Sequence, residues 1–283
     1  MAVTAMPARF PRSARRLARS VARGAAKIPW LERVAGAAYA RYFNAADGGQ
    51  VRLFRGIYPD FATAARDIPA NRLAGYDNAE SAQRVIGEWL QIYAYDYPIM
   101  FWLEKLLPEC RLLLDWGGNV GLKYFAYRKY LTYPAGMRWS VCEVPAVAAA
   151  GRVVAEREGA RDISFTTTFE DLPVADILLA AGALHFIDDP FGIMREAAAL
   201  PKHLLLCKVP VYDRPTAVTL QNMGTSICTY RLYNRDEFVA NVEALGYRLV
   251  DEWRTPDGSS CIIPFYPEHA IEAYSGFYFE RTA

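Results

Sequence analysis

The stretch that most constrains the fold is Arg111–Gly121, reading R-L-L-L-D-W-G-G-N-V-G. A short apolar run, Leu112–Leu114, ends in Asp115, and a glycine turn, Gly117-Gly118-Asn119-Val120-Gly121, follows. Unbroken leucines without polar alternation predict a buried parallel strand. Glycine allows the tight turn, and Leu122–Leu131 then has helical character. Strand, turn and helix N-terminus in that order are the start of an open α/β sheet. Ligands of such sheets bind at the carboxyl ends of the strands, which places the turn at a site.

Downstream, the chain keeps alternating. Strands are predicted at Trp139–Cys142, Ile163–Thr167, Asp176–Ala181, His203–Val209, Tyr247–Trp253 and Gly276–Glu280. Between them lie helices at Pro145–Glu158 and at Pro190–Ala199, the second opened by proline in its first turn. A further helix runs to Leu245, with Asn234 as its cap. This pattern predicts an α/β chain with a doubly wound, mainly parallel sheet over residues 109–283.

Two segments precede the sheet. Residues 1–46 are a basic N-terminal helical segment, in which Arg9, Arg12, Arg15, Arg16, Arg19, Arg23 and Lys27 come before the first acid, Glu32. Met1–Pro11 is expected to be disordered, and Ser13–Phe43 to form an amphipathic helix interrupted near Pro29. Such a helix either lies on an anionic membrane surface or a partner, or packs its apolar stripe on its own domain. Residues 47–108 are expected to form a helical cap over the mouth of the sheet. The cap begins with an aromatic loop from Phe54 to Pro59 and can hold a short helix within Tyr58–Ala70. It turns at Gly75-Tyr76-Asp77-Asn78 and continues helically from Ala79 through Val85, Ile86, Trp89, Leu90 and Tyr93. It closes with Ile99–Leu107.

Composition narrows the function. The 283 residues are 53% hydrophobic and 22% charged, with a net charge of +1, which suits a soluble globular protein and gives no electrostatic case for nucleic acid. The five cysteines are scattered without a C-x-x-C pair, so neither a zinc site nor a disulfide framework is expected. No apolar run is long enough to span a membrane, and arginines break any secretory signal. The expected compartment is the cytoplasm.

The site chemistry follows from the strand ends. Helix N-termini and free backbone N–H groups attract a carboxylate or phosphate, while Glu143, ending the second strand, can accept hydrogen bonds from both ribose hydroxyls. A nicotinamide fingerprint needs G-x-G-x-x-G, and Asn119 and Leu122 stand where its last two glycines belong. There is no phosphate-loop lysine pattern either. After the fourth strand comes Gly182-Ala183-Leu184-His185-Phe186. His185 is either a general base for a substrate hydroxyl or a wall of the pocket. Lys208 and Tyr212 follow the fifth strand, and Lys208 either positions an anionic substrate or is solvated. His269 lies in a late loop and His203 starts a strand. Tyr76, Tyr93, Tyr95 and Tyr97 either form an aromatic lid or pack the cap.

Asp115-Trp116-Gly117-Gly118-Asn119-Val120-Gly121, with Glu143 after the next strand, resembles the first motif of class I S-adenosylmethionine-dependent methyltransferases, an acid followed by x-G-x-G-x-G. The chain is also similar to a family of bacterial methyltransferases associated with surface-glycan and secondary-metabolite genes. That likeness runs through Phe54-Arg55-Gly56-x-Tyr58, Gly75-Tyr76-Asp77, Glu143-x-Pro145, Gly182-Ala183-Leu184 and Tyr274-x-Gly276. The resemblance implies a Rossmann-like sheet of seven strands whose last strand is antiparallel. It also implies S-adenosyl-L-methionine as cofactor, its methionine part held by Asp115, Gly117, Gly118, Asn119 and Gly121, with Ala183 beside the pocket. Glu143 would bind the ribose and Thr167 and Thr168 would lie beside adenine. The expected reaction is O-methylation of a small molecule, sugar or glycan intermediate. A cofactor-binding protein without catalysis, docking peripherally on a membrane or partner through its basic helix, is the alternative.

Overall fold

The leucine run becomes an internal strand, buried along its whole length. The structure, a computed structural model, describes residues 29–46, 52–78, 91–169, 174–197, 199–255 and 261–282. Helix α1 (Pro29–Ala45) precedes strand β1 (Leu53–Tyr58) and helices α2 (Phe61–Arg66) and α3 (Asp96–Leu106). Then come β2 (Leu112–Trp116), α4 (Leu122–Tyr127), β3 (Arg138–Cys142), α5 (Pro145–Arg157) and β4 (Ile163–Thr166). They are followed by β5 (Ile177–Ala181), α6 (Pro190–Glu196) and β6 (His203–Val209). Strands β7 (Val211–Tyr212), β8 (Ala217–Asn222) and β9 (Ile227–Asn234) lead to α7 (Arg235–Glu243), β10 (Tyr247–Thr255) and β11 (Tyr274–Arg281). The chain forms two compact units. One comprises Met1–Ala74, Val218–Tyr230 and Cys261–Ala270; the other Gly75–Ala217, Arg231–Ser260 and Ile271–Ala283.

The second unit holds the sheet, in the order β10-β11-β6-β5-β2-β3-β4. Strands β2, β3, β4, β5 and β6 pair in parallel, and β11 runs antiparallel to both of its neighbours. This is the α/β, doubly wound, seven-stranded Rossmann-like methyltransferase sheet that the resemblance implied, with the last strand reversed. Residue parity builds its two faces. Leu113, Trp139, Val141, Ile177, Leu179, Leu205 and Cys207 pack on one side with Ile99, Leu103, Phe125 and Val147 from the helices. Leu112, Leu114, Leu178, Ala180, Leu204 and Leu206 pack on the other with Phe191, Met194, Phe238 and Val242. Helices thus cover both faces, which is why the strands read as continuous apolar runs rather than alternating ones. Strand β2 has β3 on one side and β5 on the other, so the chain reverses its winding there. The crevice at that switch point is where an open sheet binds its ligand.

The first unit is smaller. Strand β1 pairs antiparallel with β8, and Phe43, Phe61, Ala64, Val218, Leu220 and Ile227 form its core. Asp60 caps α2 by accepting from the Thr63 N–H at 2.6 Å. Asn222 is fully buried because its side chain finishes the backbone's hydrogen bonding. Its Nδ2 donates to the Phe43 and Ala46 carbonyls and its Oδ1 accepts from the Gly224 N–H.

Several local expectations change. The aromatic loop at Phe54–Pro59 is strand β1 up to Tyr58, and β8 and β9 stand where no strand was expected. Helix α4 stops at Tyr127 rather than Leu131, and α6 at Glu196 rather than Ala199. The expected 47–108 segment is shared out, with its residues to Ala74 in the first unit and those from Gly75 in the second. Residues 1–28, with most of the basic helix and all of Met1–Pro11, lie outside the described residues, as does the expected helix from Ala79 to Leu90. All five cysteines are buried and none forms a disulfide. Among the described residues, no helix is long and apolar enough to cross a membrane, and no metal-binding group of acids, histidines and cysteines occurs.

Candidate functional site

Asp115 sits near the carboxyl end of β2, on the same face as Leu113, and is wholly buried. Its Oδ2 accepts from Trp139 Nε1 at 3.1 Å, while Oδ1 has no hydrogen-bond partner among the described residues. Burial pushes this carboxyl up to about 7; the Trp139 N–H and the positive charge of Lys123 oppose the rise, and Glu143 adds to it. An ionisable oxygen left unsatisfied inside a protein is costly, and it marks a place where a charge or a donor is expected to arrive.

The turn above it is shaped by close approach. A Cβ on Gly118 would lie 2.3 Å from Asp115 Oδ2, so only glycine lets the turn lie on the carboxylate. Gly117, at φ 72°, would carry a Cβ 2.2 Å from that of Ala183, in the loop after β5. The glycine turn and the β5 loop therefore touch at the switch point. Gly121, at φ 87°, caps α4 and packs against Ile163 and Phe125.

Asn119 is also left-handed, at φ 57°. Of the residues with a Cβ, asparagine is among those that visit this region most readily, which explains how it replaces the middle glycine. Its side chain holds the turn: Oδ1 accepts from the Val120 N–H at 2.8 Å and Nδ2 donates to the Tyr76 hydroxyl at 2.8 Å. Its backbone N–H donates to Glu143 Oε1 at 3.0 Å, and Val144 N–H donates to Oε2 at 2.9 Å. Glu143 is thus tied to the turn while each oxygen keeps a further lone pair. Burial raises its carboxyl above the usual range, against the pull of those two N–H groups.

Tyr76 reaches the site from the chain before α3, and its ring stacks near Phe186, 6.4 Å away. Its neighbour Asp77 accepts from the Ala146 N–H in the first turn of α5. These two links belong to the Gly75-Tyr76-Asp77 turn, which the sequence shows as a turn without showing what it holds. His185 lies in the short 3-10 turn Leu184–Phe186 and is buried. Burial, then the charge of Lys208, hold it well below the usual imidazole value, so it is neutral at pH 7. Lys208 takes a left-handed φ of 55° at the end of β6. Its stem runs past Gly182, and its ammonium lies 4.6 Å from the centre of the Tyr95 ring.

The other tyrosines have different work. Asp96, fully buried, accepts from Lys123 Nζ at 2.5 Å, from Tyr127 at 2.6 Å and from the Tyr93 N–H at 2.8 Å. Tyr93 and Tyr95 stack on each other and lie beside the Lys123 ammonium, whereas Tyr97 is exposed. Thr167 and Thr168 follow β4 at the surface, where Thr166 Oγ1 bonds the Thr168 backbone; Glu170 and Asp171 lie outside the described residues. His203, at the opposite end of β6, bonds the Tyr278 hydroxyl. His269 belongs to the first unit, in the 3-10 turn Pro267–His269. The tyrosine of β7, Tyr212, donates to the Pro215 carbonyl.

No protein-family model matches the chain, and no curated protein matches it. Solved structures that align with it include the 1,6-didemethyltoxoflavin-N1-methyltransferase of Burkholderia thailandensis, bound to 1,6-didemethyltoxoflavin and S-adenosylhomocysteine. That pair shares 19% identity over 72% of this chain and 84% of the other, with a TM-score of 0.49. A SAM-dependent methyltransferase from Aquifex aeolicus aligns at 11% identity over 72% and 99% of the two chains, TM-score 0.48. The CcbJ methyltransferase from Streptomyces caelestis aligns at 16% over 74% and 98%, TM-score 0.47. At these values, function has to be read from the chain's own residues.

The left-handed turn makes Asn119 a discriminating position. Asn119→Gly keeps the backbone and loses only the side-chain bonds, whereas Asn119→Ala adds a strain of about 1–2 kcal/mol as well. Thermal unfolding of both variants should rank wild type above Gly and Gly above Ala.

Proposed function

We propose that the second unit binds S-adenosylmethionine at the β2 turn and transfers its methyl group to the hydroxyl of a small molecule, sugar or glycan intermediate. The observation that carries this reading is Asp115: a buried carboxylate with one oxygen unpartnered, under a turn that only glycine could lay on it. That oxygen fits a cationic ligand, and the two lone pairs left on Glu143 fit a vicinal diol. When bound, the cofactor supplies an electrophilic methyl on a sulfonium centre.

The chain's own residues then divide the work. Asp115 offers its negative charge in a setting from which water is excluded, where an approaching cation is worth most. Gly117, Gly118, Asn119 and Gly121 fix the turn, and Glu143 holds the ribose hydroxyls. Ala183 forms the wall across the switch point, and Thr167 and Thr168 lie beside adenine. His185, neutral at pH 7, can take a proton from the acceptor hydroxyl without first losing one. Burial keeps it neutral, and the charge of Lys208 lowers its basicity further. Much of the rate would come from alignment of the acceptor oxygen with the methyl group.

Calorimetry with S-adenosylmethionine tests the cofactor. The wild-type chain should bind, and Asp115→Ala and Glu143→Ala should each weaken binding about tenfold or more, as loss of a charge-assisted contact predicts. Absence of binding by the wild-type chain would sink the reading. The base is tested by the pH profile of methyl transfer, followed as S-adenosylhomocysteine formed from a cell lysate. Its acid limb should fall well below pH 6.5, because His185 is depressed. Lys208→Met removes a charge that lowers the imidazole, so the limb should move to higher pH. A limb unmoved by both Lys208→Met and His185→Gln makes His185 a wall of the pocket.

A further inference from the structure

The Phe54-Arg55-Gly56-Ile57-Tyr58 motif plays no part in the methyl-transfer site. It belongs to the first unit, where it borders a cleft of about 390 Å³, a volume within the range of small-molecule sites. The cleft owes its shape to a break in β1. Pairing with β8 shifts register between Arg55 and Tyr58, and Gly56 takes φ 72°. A Cβ there would fall 2.6 Å from the Tyr58 hydroxyl, so glycine lets Tyr58 fold back across its own strand. Bulges re-aim side chains in this way. Arg55 and Tyr58, three residues apart, both reach Asp67: Arg55 Nη2 donates to its carbonyl and to Oδ2 at 2.8 Å, and the Tyr58 hydroxyl donates to Oδ2 at 2.5 Å.

We infer that this cleft is a saccharide-binding site that takes a neutral hexopyranose unit. The walls supply aromatic rings from Tyr39, Tyr58, Phe265 and Tyr266, and a hexopyranose has an apolar C–H face to lay on such rings. The polar groups are a matched pair. The Arg55 guanidinium and Asp67 carboxylate neutralise each other, so an anion would meet Asp67 and a cation would meet Arg55. A sugar hydroxyl suits both, because it donates and accepts at once. Asp67 keeps 54% of its side chain exposed, open to a donor. Burial, above all other causes, keeps Tyr39 and Tyr58 as neutral phenols. Tyr39 donates to the Phe54 carbonyl at 2.8 Å, which leaves its oxygen free to accept.

This inference stands apart from methyl transfer and does not need it. Saturation-transfer NMR on the full chain tests it, with the methyl glycosides of glucose, galactose, mannose and rhamnose as neutral probes and glucuronate and glucosamine as charged ones. At least one neutral glycoside should bind with a Kd of roughly millimolar size. Tyr266→Ala, which removes a half-exposed wall ring, and Asp67→Asn should each weaken that binding roughly fivefold. Melting curves of the variants show that they remain folded. Binding of no neutral glycoside, equal binding by Tyr266→Ala, or tighter binding of a charged probe would each overturn the site. Calorimetry with S-adenosylmethionine on the same preparation reports separately on the second unit, so failure of one reading leaves the other measurable.

Discussion

Everything in the second unit's site turns on keeping one carboxylate dry. Asp115 occupies a position in a parallel sheet that would otherwise be filled by another leucine, and among the described residues its side chain takes a single hydrogen bond, from Trp139. Placing a carboxylate there costs free energy unless a partner compensates. No group among the described residues supplies that partner; the chain arranges itself around the carboxylate instead. Gly118 lies directly on the carboxylate, Gly117 brings in the β5 loop, and Asn119 locks the turn to Glu143 and Tyr76. Such a turn is preorganised, so little ordering is left to be done when a ligand arrives.

A second buried acid anchors the helix that follows the glycine turn. Asp96 begins α3 and Lys123 sits in the first turn of α4, immediately after the glycine turn. Their ion pair, with Tyr127, ties the chain before the sheet to the helix that starts at the site. Breaking such a pair by removing one partner typically costs about 3–5 kcal/mol, because a buried charge is left alone. Tyr93 and Tyr95 enclose the lysine. Two of the tyrosines that the sequence offered as a lid are therefore committed to holding a protein cation.

What could be read in advance follows from what the residues are buried by. Strands β2, β3, β5 and β6 and the helices between them were legible because their burial is largely apolar on both faces, which writes itself as runs such as Leu112–Leu114 and Leu204–Leu206. Asp115 and Glu143 were legible as strand-end acids. The first unit was not. Its strands carry Arg55, Thr219 and Asn222, polar residues held by hydrogen bonds rather than by apolar contact, and hydropathy cannot register that. Gly56 read as a loop residue when it makes a bulge. Asn119 showed an exception to a glycine pattern, but only its φ and its contact with Tyr76 reveal that its side chain is spent on the turn. Nor could spacing show that Lys208 bears on His185, since that depends on a left-handed residue at a strand end.

The central claim is that Asp115 awaits a cation, and proton linkage tests it most directly. With its carboxyl near 7, Asp115 is partly protonated at neutral pH, and an arriving positive charge favours the ionised form and lowers that value. Calorimetric titration of S-adenosylmethionine at pH 7, repeated in buffers of different ionisation enthalpy, measures the protons exchanged on binding. The account predicts net release in the wild-type chain and less release in Asp115→Asn. Binding with no proton exchange, or with release unchanged in that variant, would contradict it.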